Sequence, residues 1–218
     1  MTERKPKRRT RERVLETSLR LFNEFGEPNV TTTTISDEME ISPGNLYYHF
    51  RNKDQIVNDI FAQFERELQA MLAVPAQRAV TVEDIWLYLH VLFEHIWKFR
   101  FFYRDLSDLL SRNRLLEVHF KQLLQDKIRV TLQIMRGLEA AGEVDAGDHD
   151  LDALATNMMV VATYWLSFAY VRNPRNFIAS EVLGDGAYQV MSLLAPFLRG
   201  DGSELIRRLA FEYRTARV

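Results

Sequence analysis

The chain has 218 residues, 47% of them hydrophobic, with 28 basic residues against 30 acidic and no cysteine. That length and apolar share support a substantial core, and the missing thiols exclude disulfides and cysteine-bound metals. No apolar leader pattern opens the sequence, so a cytoplasmic protein is expected.

Charge is unevenly spread. Residues 1–13 hold seven basic side chains (Arg4, Lys5, Lys7, Arg8, Arg9, Arg11 and Arg13) against Glu3 and Glu12. A flexible basic arm, residues 1–13, on an acidic body points to an anionic partner, with nucleic acid foremost and a solubilising tail as the equal alternative.

Helical periodicity dominates and strand-like alternation is nearly absent, so an all-α fold of about nine helices is expected. The first helix is predicted over Thr10–Phe25, with Leu15, Leu19 and Phe22 on one face and Val14, Leu21 and Phe25 beside them. Gly26 suits its C-terminal end. Four threonines then lead into a short helix with Ile35 and Met39 inward, and Thr34 with Asp37 fits a capping box, a start two residues earlier being the alternative. Ser42 suits an N-cap and Pro43 a first helical position, which predicts a second short helix to Phe50 after a tight turn. A longer helix follows from Lys53 to Leu72. Two short helices flanked by longer ones form a helix-turn-helix arrangement, whose second helix enters the DNA major groove.

On the second short helix, "SPGNLYYHF", helical spacing turns Leu46 and Phe50 inward and leaves Asn45, Tyr48 and His49 outside. Gly44 permits close approach of the backbone. Asn45 can pair bidentately with an adenine edge, and tyrosine hydroxyls, His49 and Lys53 suit phosphates. The competing reading makes Tyr47 and Tyr48 ordinary core aromatics.

The runs "RVLETSLRLFNEFG", "TTTTI" and "SPGNLYYHFRNKDQIV", at their spacing, make Arg11–Phe61 resemble the DNA-binding domain of the TetR family of bacterial transcriptional regulators. That resemblance implies a helix-turn-helix domain over residues 14–60 and a helical ligand-binding and dimerisation domain over 61–218. It implies a homodimer on double-stranded DNA, usually a repressor. Carried over position by position, Thr32 or Thr33 would bond phosphate. Ser42, Pro43, Gly44 and Asn45 would open the recognition helix, with Asn45 the main base reader. Tyr47, Tyr48 and His49 would touch backbone or bases, and Lys53 would grip phosphate. Two positions depart from the family pattern: Ser36 replaces the usual alanine, and Glu40 replaces the usual turn glycine, so a positive φ is not expected there.

Further helices are predicted at Val82–Lys98, Phe101–Ser111, Arg114–Ala141, Leu151–Arg172, Ser180–Leu198 and Ser203–Arg214. Trp86, Phe93, Trp97, Phe101, Phe102, Tyr103, Phe120, Tyr164 and Phe168 are the candidates to line an effector cavity. Any one of them serves a core more often than a pocket. A small apolar effector is expected, and a weaker resemblance of "RFFYRDLSDLL" to regulators of polyhydroxyalkanoate or fatty-acid metabolism implies a fatty acyl compound. The resemblance also implies a dimer seam on the last two long helices, for which Met158, Val161, Ala162, Trp165, Ala187, Val190, Met191 and Leu194 supply apolar faces.

Residues 153–171 run without a charge for about the length of a bilayer span. A buried helix is the preferred reading, since such a helix also suits a core or seam, and no membrane partner is expected. No cofactor, metal site or catalytic residue is expected either. His90 and His95 do not share a helix face, and no phosphate loop, nucleophile elbow or HExxH motif is present. A helical carrier or scaffold protein is the remaining alternative. It would leave the basic arm and the exposed Asn-Tyr-His set unexplained.

Overall fold

The computed structural model describes residues 6–72, 79–147, 150–174 and 179–199, together with Glu204, Ile206 and Arg208. Among them are ten α-helices: α1 (Pro6–Phe25), α2 (Thr32–Glu38), α3 (Pro43–His49), α4 (Lys53–Met71), α5 (Val82–Lys98), α6 (Arg100–Arg104), α7 (Leu106–Arg112), α8 (Arg114–Ala140), α9 (Leu151–Arg172) and α10 (Ala179–Leu194). The all-α expectation holds. The helix expected over Ser203–Arg214 falls largely outside the described residues.

Two compact units divide the chain. The first takes residues 1–66 and 99–119, the second 67–98 and 120–218.

In the first unit the buried face of α1 is Val14, Ser18, Leu21 and Phe22, while Leu15 and Leu19 are only half-buried and Phe25 is exposed. The i, i+4, i+7, i+8 spacing is what a helix lying on a core requires. α1 starts at Pro6, inside the segment expected to be a flexible arm, and proline suits a helix start. α2 packs on α1 and on α3, and Ile35, Met39 and Leu46 are buried. Beneath them lies an aromatic cluster in which Phe22 meets Phe101 (5.2 Å between ring centroids), Phe61 meets Phe102 (5.4 Å), and Phe64 meets Phe99 and Phe102 (5.5 Å each). Tilted and edge-on pairs at these separations are favourable beyond the area they bury.

The helix predicted over Phe101–Ser111 is broken in two at Asp105. Its backbone leaves helical geometry (φ −103°, ψ 19°) and its carboxylate accepts the Glu27 amide at 3.2 Å. A short acidic side chain that bonds a neighbouring amide competes with helix continuation.

In the second unit α10 lies between α9 and α5. Close approach is made possible at Gly186, where an added Cβ would stand 2.5 Å from Phe93 Cε1 and 2.6 Å from Trp165 Cδ1. Trp165 is fixed there, because its indole N–H donates to the Val182 carbonyl at 2.7 Å. By length and composition α9 could cross a membrane. Seven of its residues, including Met158, Ala162 and Trp165, are nonetheless buried within the protein, as in a core helix.

Gly186→Val should therefore be costly. Overpacking a core costs ~1–3 kcal/mol, and the anchored indole cannot swing aside. The expected result is a thermal midpoint several degrees lower, read by circular dichroism. An unchanged midpoint would show that α10 can shift to make room.

Candidate DNA-binding face

The face is assembled from two short helices, each held by its own caps. α2 begins at Thr31, whose hydroxyl accepts the Thr34 amide at 3.0 Å, while the Thr34 hydroxyl accepts the Thr31 amide at 3.4 Å. The capping box is thus Thr31 with Thr34, not Thr34 with Asp37. α3 is capped by Ser42, whose hydroxyl oxygen accepts the Asn45 amide at 3.2 Å, with Pro43 at the first position.

The turn between them contradicts the expectation for Glu40. Its φ is +54°, the left-handed conformation. Two bonds impose it: the Glu40 amide donates to the Asp37 carbonyl and the Ile41 amide to the Ser36 carbonyl, each at 3.0 Å. This is the paired 5→2 and 6→1 closure of a Schellman end. Ser36, the other departure, is fully buried and its hydroxyl donates to the Thr33 carbonyl at 2.9 Å, so the extra polar atom is satisfied locally.

With Leu46 and Phe50 buried, the rest of α3 is turned outward. Tyr47 is 50% exposed and Tyr48 67%, which sets aside their reading as core aromatics. Ser42, Pro43, Gly44 and Asn45 are exposed, and His49 is half-buried with its ring edge-on to Tyr48 at 5.2 Å. The Tyr47 hydroxyl meets the Thr32 hydroxyl at 3.1 Å, so one hydrogen bond joins the head of α2 to the middle of α3. Thr33, beside it, is exposed. The acids of α2 are exposed, and Glu38 is engaged by Arg20 of α1.

Lys53 does not extend this face. Its ammonium donates to the carbonyls of Glu27 and Val30 at 3.0 Å each and lies 3.0 Å from the Glu27 carboxylate. The expected phosphate grip gives way to a brace on the loop between α1 and α2. Glu27 is wholly buried and is also paired with Arg112 of α7. Arg11, expected in the basic arm, is likewise turned inward. It bonds the His49 carbonyl at 2.9 Å, pairs with Asp59, and lies 4.3 Å over the Phe50 ring, fixing the end of α3. Arg11 stands three residues before Val14 on the buried stripe of α1, and that register was the available signal.

The remaining predicted residues fall into separate places. Phe101, Phe102 and Tyr103 are buried in the first unit, in the aromatic cluster around Phe22, Phe61 and Phe64. In the second unit Phe93 and Phe120 are buried, Trp86 and Trp97 half-buried, and Tyr164 and Phe168 exposed. Of the residues assigned to a dimer seam, Met158, Ala162, Trp165, Ala187, Val190, Met191 and Leu194 are buried within the protomer, and Val161 is half-buried. Those faces are used where α9, α10 and α5 pack together. Apart from Tyr170, at 44% exposure, the large apolar residues exposed on α9 are instead Val160, Tyr164, Phe168 and Val171, at 51, 52, 53 and 78%. Their spacing of four, four and three residues places them in one stripe.

Comparison with known proteins agrees with this geometry. The family model described as "Bacterial regulatory proteins, tetR family" matches residues 14–60, and that described as "Bacterial transcriptional repressor" matches residues 63–206. A TetR-family transcriptional regulator from Marinobacter aquaeolei VT8 is 35% identical, over 94% of this chain and 98% of that one, with a TM-score of 0.85. SmeT of Stenotrophomonas maltophilia, the repressor of the multidrug efflux pump SmeDEF, shares the fold: TM-score 0.58, 18% identity, covering 88% of this chain and 92% of its own. The probable acrEF/envCD operon repressor of Escherichia coli K12 is 33% identical over 55 residues, and the chain spans only a quarter of that relative's length. The chain belongs to the TetR family of bacterial regulatory proteins. The carrier or scaffold alternative is set aside.

Glu40→Gly tests the turn. A non-glycine residue in the left-handed region costs ~1–2 kcal/mol, part of which glycine returns as unfolded-state entropy. The variant should gain about 1 kcal/mol in denaturant unfolding with an unchanged slope. A loss would mean that the Glu40 side chain contributes contacts of its own.

Proposed function

We propose that this chain is a cytoplasmic transcriptional regulator that binds a pseudo-palindromic operator as a homodimer and is released by a small apolar effector. On this reading it is a repressor with no catalytic role. The observation that carries it is the outward set Asn45, Tyr47 and Tyr48 on a helix capped at both ends and fastened to α2 by the Thr32–Tyr47 bond. A surface that spends two large aromatics on solvent is built for a partner. In a major groove, Asn45 would read an adenine edge. Tyr47, Tyr48, His49 and the threonines at the head of α2 would hold phosphates on either side.

Dimerisation is assigned to the outer stripe of α9, Val160, Tyr164, Phe168 and Val171. A second copy related by a two-fold axis would lay the same stripe against it, since an isologous interface uses one patch twice. The pair would set its two recognition helices about one DNA turn apart, ~34–36 Å. The effector is assigned to the second unit, where Trp86, Phe93, Trp97 and Phe120 remain as candidates on α5 and α8. Its binding would favour a dimer whose recognition helices no longer match the half-site spacing.

Selection of bound fragments from genomic DNA with the purified protein is expected to enrich one palindrome. Asn45→Ala should relax preference at one or two base pairs per half-site, a loss of ~1–3 kcal/mol of discrimination. Unchanged affinity and preference would remove Asn45 as the base reader. Phe168→Glu, at an exposed position whose ring also touches Trp165 at 5.6 Å between centroids, should convert a dimer into a monomer in sedimentation and abolish operator binding, with circular dichroism expected to show the protomer still folded. A dimer that survives Phe168→Glu and Tyr164→Glu together would place the seam elsewhere.

A further inference from the structure

Glu27 opens the short 3-10 helix Glu27–Asn29 between α1 and α2, and its side chain is wholly buried. Its two carboxylate oxygens face different cations. Oε1 lies 3.0 Å from the Lys53 ammonium, and Oε2 accepts from the Arg112 guanidinium. Lys53 also donates to the carbonyls of Glu27 and Val30, at the two ends of that turn. Thr31, the cap of α2, follows Val30 directly, and Lys53 begins α4 three residues after Phe50, the end cap of α3. The bonds of one lysine therefore tie the chain entering α2 to the chain leaving α3. They close the helix-turn-helix at its base.

Arg112 fastens that closed segment to α7. Besides Glu27, its guanidinium bonds Asp108, one turn back, at 2.8 Å and lies 3.7 Å from Asp54 of α4. Stability alone does not call for this arrangement. An ion pair whose carboxylate is closed to solvent gains little over apolar side chains of similar volume, because desolvation offsets the attraction. What the pair supplies is direction. A planar guanidinium with an acid against each of its three nitrogens holds every partner at one distance and angle.

We propose that Glu27 and Arg112 are positioning residues for DNA recognition, holding α2 and α3 at the angle from which Asn45 meets a base edge. This deepens the DNA-reading role above and rests on it. The pair acts through the head of α2, where the Thr32 hydroxyl is joined to that of Tyr47 on α3. A bidentate contact with a base tolerates little change in distance or angle. Attraction between cations and phosphates is independent of sequence and falls off slowly with distance. Loosening the base of the helix-turn-helix therefore weakens specific binding more than nonspecific binding.

The test uses the full-length protein and two duplexes of equal length, the palindrome that the wild type selects and a scrambled sequence. Glu27→Met combined with Arg112→Met removes both charges of the pair and leaves Lys53 on its two carbonyls. Affinity for the palindrome should fall by about tenfold or more, the loss of roughly one base contact. Affinity for the scrambled duplex, its salt dependence and the melting temperature should hold at wild-type values. Arg112→Lys, which keeps a cation beside Glu27, covers the case in which the double variant does not fold. One ammonium cannot replace three directed contacts, so the preference for the palindrome should again fall, by a smaller factor. A preference that survives in the folded variants would overturn the positioning role, as would an equal loss on both duplexes. A lowered melting temperature with the wild-type preference intact would reduce the pair to a structural contact. A wild type that selects no palindrome would overturn the DNA reading itself, and this proposal with it.

Discussion

Glu27 carries its carboxylate at a position closed to solvent, and an ionised group there holds its charge only with cations against it. Lys53, the first residue of α4, and Arg112, the last of α7, supply them from opposite directions in the sequence. Neighbouring bonds tighten the same junction. Arg104 donates to the Phe22 carbonyl at 2.9 Å, the Asn23 side chain accepts the Phe101 amide at 3.1 Å, and Asp105 accepts the amide of Glu27 itself. Gly26 (φ +88°) lets the chain turn sharply out of α1, and a Cβ there would come within 3.1 Å of the Arg104 guanidinium. This junction explains why residues 99–119 belong to the unit that carries the helix-turn-helix. It also holds the loop before α2, and so the head of α2 and the Thr32–Tyr47 bond that aims α3.

Much of this fold was legible in the sequence because its determinants are local. Leu46 and Phe50 four apart, Ser42 followed by Pro43, and Gly26 after an apolar stripe each specify structure within a few residues, and all three appear as expected. Charged residues resisted the same treatment. Arg11 and Lys53 read as free cations because nothing nearby in sequence names Asp59, the His49 carbonyl or Glu27 as their partners. An ion pair between residues 26 or 48 apart has no periodicity to betray it.

The aromatics and α9 show a different limit. Phe101, Phe102 and Tyr103 would look the same in sequence whether they lined a cavity or filled the core in which they lie. Helix α9 is apolar on nearly every side, so periodicity says that it is buried without saying by what. Its sequence therefore does not say which face the protomer uses. Met158, Ala162 and Trp165 serve the protomer, and Tyr164 and Phe168 face outward. Glu40 is a further case, since residue preference argued against a left-handed turn that two backbone hydrogen bonds enforce.

The chain's continuity bears on how an effector could reach DNA. Helix α8 starts in the first unit, where Asn113 caps the Leu116 amide at 3.3 Å and bonds Asn58 of α4 at 2.8 Å, and continues into the second, where it carries Phe120 and Lys127. Its first turn follows directly on Arg112, one of the two cations that hold Glu27. The proposed effector binds the second unit, which the backbone of α8 joins to the first. Such a ligand shifts the protein only by its difference in affinity for two states. Moving a population from 1:99 to 99:1 takes ~5.5 kcal/mol of that difference. An apolar body alone, fitting both states nearly alike, supplies little of it. The difference must come from polar groups that the effector meets in one state and not in the other.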